Sequence, residues 1–331
     1  MNQKRNTTVD FLRGFAMLLI ILIHVTVYFR SNPLANVLWE YSQVAVPIFV
    51  FCSGYLYFSR SKEEPLTLAY FWKRIKRLVI PYYFYLIIFS LYTVFLRGRM
   101  VPFNTLIKNI FFLNISSRDL DWLVVLFLYF MVLMPLIRAF SKRPVIFWIY
   151  TIISFTSAFI LLFINTQHAF RLIMWLPWSL VLIVTYLLVQ YENTRWFFRS
   201  IIFIFSGIFL VSKSILLYTR DTLTLTENKY PPNIFYLSYG ISLLLILYIF
   251  HRKYGSFMPW LQKCFDFLSK YSYSIFFIHF LILAAFLDFG IYKRMEWWQL
   301  FAVVLILTLI VQWSINTLHY FRSTLKNEKP L

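Results

Sequence analysis

Acidic residues and glycine are both scarce in this chain: of 331 residues, 13 are Asp or Glu and 7 are Gly. Only 14% of the residues are charged, against about a quarter in a soluble domain. A water-soluble fold of this length would lack the polar side chains to cover itself. Cysteine is nearly absent. Cys52 sits in an apolar run and Cys264 in a predicted loop, which excludes a disulfide-stapled scaffold and a cysteine metal cluster. No linker, low-complexity stretch or internal repeat divides the chain. No soluble catalytic domain is expected at either end.

What is abundant is apolar and aromatic. Hydrophobic residues make up 60% of the chain, with mean hydropathy +0.69, and 11 Trp and 23 Tyr contribute to 22% aromatics. Tyr and Trp suit the membrane–water interface, where one end of the ring is wet and the other apolar. The net charge is +19. In a soluble protein that excess would suggest nucleic acid. Here the cations fall between apolar runs, so they are expected to fix topology, with some left to hold a phosphorylated substrate.

A membrane-spanning helix needs about 20 mostly apolar residues. Ten such runs are expected, at roughly 9–29, 37–59, 79–97, 120–138, 144–164, 170–190, 196–218, 233–251, 271–290 and 297–319. The first is too long for a secretory leader and has no small-residue cleavage site. With the N-terminus in the cytoplasm, 20 Lys and Arg fall in cytoplasmic segments and 11 in outer ones, while Arg13 lies within the first span. That bias predicts an all-α, polytopic protein with both termini cytoplasmic. It forms a single domain over 1–331, with a core at 8–320 and a short tail at 321–331. Residues 61–77 are expected to form a basic amphipathic helix on the inner surface.

The first span carries the chemistry. Asp10, Arg13 and His24 are ionisable groups at or within it, and such groups are costly there and functional candidates by default. Eleven positions separate Arg13 from His24, about 20° from three full turns, so both project from one face, roughly 16 Å apart. Asp10 is one turn before Arg13 and can pair with it. Each residue also has a bland account. Arg13 can snorkel to the headgroups and His24 can make a neutral interhelical hydrogen bond. Sharing a face makes both bland accounts together less economical.

Asp10-Phe-Leu-Arg13-Gly14, with ten residues between Arg13 and His24, resembles the acyltransferase-3 family of membrane acyltransferases. Further segments resemble it in order. These are Val46-Pro-Ile-Phe-Val-Phe-Cys-Ser53-Gly54-Tyr55; the basic run Lys73-Arg74-Ile-Lys76-Arg77 before Pro81-Tyr82; Asp121-Trp122; Lys229-Tyr230-Pro231-Pro232; and Tyr271-Ser-Tyr273-Ser274-Ile-Phe-Phe-Ile-His279. The resemblance runs from about residue 8 to 280. It implies transfer of an acyl group, usually acetyl from acetyl-CoA, to a hydroxyl of a cell-envelope glycan. The setting is the plasma membrane, with acyl-CoA as co-substrate, no bound cofactor, no metal and no nucleic acid.

Under that resemblance, Arg74 and Arg77 grip the CoA phosphates at the cytoplasmic face, with Arg13 just inside it. Lys73 and Lys76 are better read as topological anchors. His24 either takes the acceptor proton or carries the acyl group; the sequence leaves both open. Asp10, Ser53, Trp122, Lys229, Tyr230 and His279 are candidates for the acceptor side or for support. For His279 a structural hydrogen bond is the favoured role. For Lys229–Pro232 an extended entry to the eighth span is expected.

Two rival activities have features of their own. Export of a polysaccharide or lipid-linked sugar would use Arg13 and His24 as a polar pathway. Glycosyl transfer would use Asp119 and Asp121, an Asp-x-Asp pair able to hold a divalent cation. Asn114-Ile-Ser116 is a glycosylation sequon only where that machinery is met.

Overall fold

A computed structural model describes residues 6–60, 67–116, 120–164, 166–192, 194–219, 223–255 and 259–327. The helices in chain order are α1 (Thr7–Thr26), α2 (Pro33–Tyr41), α3 (Ala45–Phe58), α4 (Leu68–Arg97), α5 (Phe103–Ile110), α6 (Asp121–Phe140) and α7 (Pro144–Ile160). They continue with α8 (Phe170–Ile173), α9 (Trp175–Gln190), α10 (Arg195–Thr219), α11 (Ile234–Tyr254), α12 (Pro259–Lys270), α13 (Ser272–Asp288) and α14 (Trp297–Asn327). Short 3-10 turns join several of them. Among the described residues the only β pairing is an isolated bridge, Lys229 with Pro232.

Eight segments are long and apolar enough to cross a membrane: Thr7–Phe29, Pro33–Phe58, Leu68–Arg97, Asp121–Phe140, Phe170–Gln190, Trp196–Thr219, Ile234–Tyr254 and Trp297–Leu318. They match eight of the ten expected runs. The other two coincide with helices of 17 residues each, α7 and α13. α13 reaches spanning length only together with α12, from which it is bent by 82°. The chain is an all-α polytopic membrane protein.

The basic segment departs from expectation. It is not a separate surface helix: Lys73 to Arg77 lie in the first turns of α4, which continues through Pro81 to Arg97. Proline within a helix removes one donor, the bond to the carbonyl four residues back. Here that carbonyl is on exposed Arg77, where other donors can reach it, so the helix carries on. Thr67 caps its start by accepting from the Tyr70 N–H, and Gly98 ends it at φ 61°. Residues 61–66 of the expected helix lie outside the described residues.

The chain packs as two compact units, Met1–Ala45 with Tyr254–Leu331, and Val46–Lys253. In the first, Asn6 starts α1 by accepting from the Thr8 and Val9 N–H groups at 3.0 and 3.2 Å. Leu12, Ala16, Met17 and Ile21 are fully buried on α1. α12 comes so close to it that a Cβ on Gly14 would run into the Phe265 carbonyl. The Phe265 ring meets Phe11 edge-on at 4.7 Å.

In the second unit, α3 and α9 pack tightly at Gly54, where a Cβ would sit 3.1 Å from Leu182 and 3.2 Å from Thr185. The helix ends of this unit sort into two groups. At one end, Arg138 donates to the Tyr57, Phe58 and Arg60 carbonyls at 3.3, 2.8 and 3.0 Å, closing the C-terminus of α3. Tyr55 and Tyr248 both donate to the Glu192 carboxylate there. At the other end, Arg171 pairs with Asp121 and Tyr82 donates to the Asn109 carbonyl. Spans that alternate in direction give this grouping.

Candidate active site

Two clusters and a basic helix start hold the residues singled out above. The first cluster lies in the first unit, on α1 and α13. The rings of His24 and His279 stand 5.5 Å apart, centroid to centroid, tilted by 38°. Phe280 lies 4.3 Å from each of them. His24 is half-buried and His279 fully buried. The Nδ1 atom of His279 is 3.1 Å from the Ile275 carbonyl oxygen. A carbonyl only accepts, so Nδ1 carries the proton and Nε2 presents a lone pair. That buried Nε2 has no hydrogen-bond partner among the described residues. The structure therefore brings His279 beside His24, where the sequence favoured a merely structural role.

Arg13 and Asp10 also lie on α1, both half-buried. The pairing open to them by spacing is replaced by another: Asp10 accepts from the Ser269 hydroxyl of α12 at 2.9 Å. Arg13 forms no ion pair among the described residues. Ser274 and Gln312 hydrogen-bond between α13 and α14, and Gln312 donates in turn to Asn316 at 2.9 Å.

The second cluster lies in the second unit. Trp122, at the start of α6, meets the Tyr230 ring edge-on at 5.1 Å, and Phe170 meets the same ring at 5.4 Å. The Lys229 Nζ lies 5.3 Å from the Trp122 ring and 5.2 Å from the Tyr230 ring. Lys229 and Trp122 are buried and Tyr230 is half-buried. Burial disfavours the ammonium and pulls Lys229 down to about 7. The segment does not enter α11 extended, as the two prolines suggested. Lys229 and Pro232 bridge each other, so it turns back on itself, and Asn233 caps α11 by accepting from the Tyr236 N–H.

Arg171 gives this cluster its anchor. Its two terminal nitrogens each lie 2.6 Å from a different oxygen of Asp121, and both side chains are 2% exposed. Asp121 is thus committed to an arginine and is not open to a metal; Asp119 lies outside the described residues. No group of three metal-ligating side chains occurs among the described residues.

At the start of α4, Arg74 stacks on Tyr70 at 4.4 Å and on Tyr57 at 5.4 Å. Arg138 stacks on the same Tyr57 ring at 5.0 Å. Arg77 is exposed. Lys76 lies over Trp72 at 4.9 Å, which suits an anchor. Ser53 is half-buried on α3. Arg138, Arg171 and Glu192 escaped the sequence reading because each takes its role from a partner distant in the chain.

Comparison with curated proteins and with solved structures found no match. The sequence profile of the acyltransferase-3 family, described as an acyltransferase domain, matches residues 6–317. The match takes in both histidines, Arg13, the basic start of α4 and the Lys229–Tyr230 turn, and the chain belongs to this family of membrane acyltransferases.

Proposed function

We propose that the protein transfers an acetyl group from cytoplasmic acetyl-CoA to a hydroxyl of a cell-envelope glycan, in the plasma membrane and with both termini in the cytoplasm. The observation that carries this is the face of α1 shared by Arg13 and His24. An arginine in a span without a carboxylate partner is costly until an anion reaches it. Arg13 is such an arginine among the described residues, and a polyanionic donor supplies the anion. Arg74 and Arg77 are the further donor-binding residues, because guanidinium groups bind phosphate through two parallel hydrogen bonds.

His24 acts as the general base. It takes the proton of the acceptor hydroxyl as that oxygen attacks the thioester carbonyl. The new O–C bond forms and the C–S bond breaks. CoA leaves as the thiolate and recovers the proton from the imidazolium, which returns His24 to the neutral form. Tyr230, the half-buried ring of the second cluster, offers a face for stacking on a sugar. Trp122 and Lys229 pack against that ring, and Asp10 and Ser53 support the helices around them.

The test is release of free CoA by purified protein in vesicles supplied with acetyl-CoA and envelope glycan. His24→Gln keeps hydrogen bonding without basicity and should lower turnover about a hundred- to ten-thousand-fold. Near-normal turnover by that variant would sink the mechanism. Movement of glycan without CoA release would instead identify an exporter.

A further inference from the structure

The buried imidazole of His279 is a polar group without an evident structural duty. Its Nδ1 is satisfied by the Ile275 carbonyl of its own helix. Its Nε2 is buried, carries a lone pair and lacks a hydrogen bond among the described residues. A leucine would fill the same space with no polar atom to satisfy. Buried acceptors of this kind call for an explanation. The imidazole beside it is that of His24, at 5.5 Å between centroids. Two imidazoles joined by an N–H···N bond of about 2.9 Å have centroids roughly 5 Å apart. A small rotation of His24 therefore closes the bond, and Phe280, 4.3 Å from both rings, confines the movement.

We infer that His279 is the positioning partner of His24, its Nε2 accepting the hydrogen bond of the His24 nitrogen that does not face the acceptor. This rests on the assignment of His24 as the general base and adds the group that orients it. A neutral acceptor on one nitrogen fixes the tautomer, so that the other nitrogen holds the lone pair that removes the hydroxyl proton. When that proton arrives, the imidazolium donates to His279 without any further movement. His279 takes no proton: the one taken from the acceptor passes to the CoA thiolate through His24 alone.

The test is a double-mutant cycle in full-length protein, reading kcat and the KM for acetyl-CoA, with a thermal unfolding curve for each variant. His279→Leu, which fills the space without an acceptor, should lower kcat by about tenfold or more, while the KM for acetyl-CoA changes by less than about twofold, because the ring orients the base and does not hold the donor. His24→Gln with His279→Leu should be no slower than His24→Gln alone, since two residues that act as a unit lose their function once. His279→Asn keeps an amide where Nδ1 lies and lacks Nε2, so it should fold as the native chain does and share the kcat defect. An unchanged kcat in a folded His279 variant, or losses that multiply in the double variant, would overturn the pairing. If His24→Gln itself turns over normally, the general-base assignment has failed instead, and the two failures are told apart by that single variant.

Discussion

Asp121 and Arg171 face each other through two 2.6 Å contacts, fully withdrawn from solvent, at one end of the second unit. Each neutralises a charge that the other would otherwise leave stranded. Removing one partner of a buried pair costs about 3–5 kcal/mol, whereas replacing both by apolar groups is often neutral. Arg171→Met should therefore lower the Tm markedly, and Arg171→Met with Asp121→Leu should recover most of the loss. Retained acyl transfer in the folded double variant would also confirm that Asp121 holds no catalytic cation.

Gly14 follows Arg13 because α12 leaves no room for a side chain there. Gly14→Ala forces a methyl against the Phe265 carbonyl, and such overpacking costs about 1–3 kcal/mol. Gly207, within α10, has open space where a Cβ would go. Gly207→Ala should stabilise by up to about 1 kcal/mol through helix propensity. Unfolding curves in detergent compare the two, and equal effects would refute the close contact.

Arg74→Ala and Arg77→Ala should each weaken acetyl-CoA binding by about 1.5–3 kcal/mol, the worth of a charge-assisted hydrogen bond. Lysine should restore only part of it, because it cannot bind bidentately. Unaltered donor affinity in the double alanine variant would reduce the basic helix start to a topological anchor. Arg138→Ala differs in kind: it frees three carbonyls at the end of α3 and should show first as lost stability.

Lys229 ties stability to pH. Its folded value, about 7, lies below the ordinary 10.5. Between those values the unfolded chain binds the proton and the folded chain does not, so stability should rise with pH across that window. Lys229→Met removes the titrating group and should flatten the rise. Parallel Tm curves from pH 7 to 10 for both proteins would show that burial of Lys229 has no such effect.

Sidedness is open to labelling. With exposed Cys264 replaced by serine, Ile115→Cys should react with an impermeant maleimide added outside intact cells, and Lys142→Cys should react only after lysis. The reverse pattern would invert the topology and move Arg74 and Arg77 away from the cytoplasmic donor.

Local rules made much of this protein legible in its sequence. Apolar runs of spanning length marked the helices, since a lipid core admits only backbone that satisfies its own hydrogen bonds. Fixed helical geometry put Arg13 and His24 on one face before any fold was known. The same rules set the basic segment 61–77 apart as a surface helix, whereas Lys73 to Arg77 begin the helix that continues through Pro81. They also offered Arg13 to Asp10, whose oxygen goes to Ser269 of another helix. Which helices become neighbours is settled by packing between segments far apart in the chain, at places such as Gly14 and Gly54 where small residues allow close approach. Only that packing set His279 beside His24, gave Asp121 to Arg171, and laid Tyr230 and Lys229 against Trp122. None of these pairs shares a helix, so no periodicity along the sequence could have joined them.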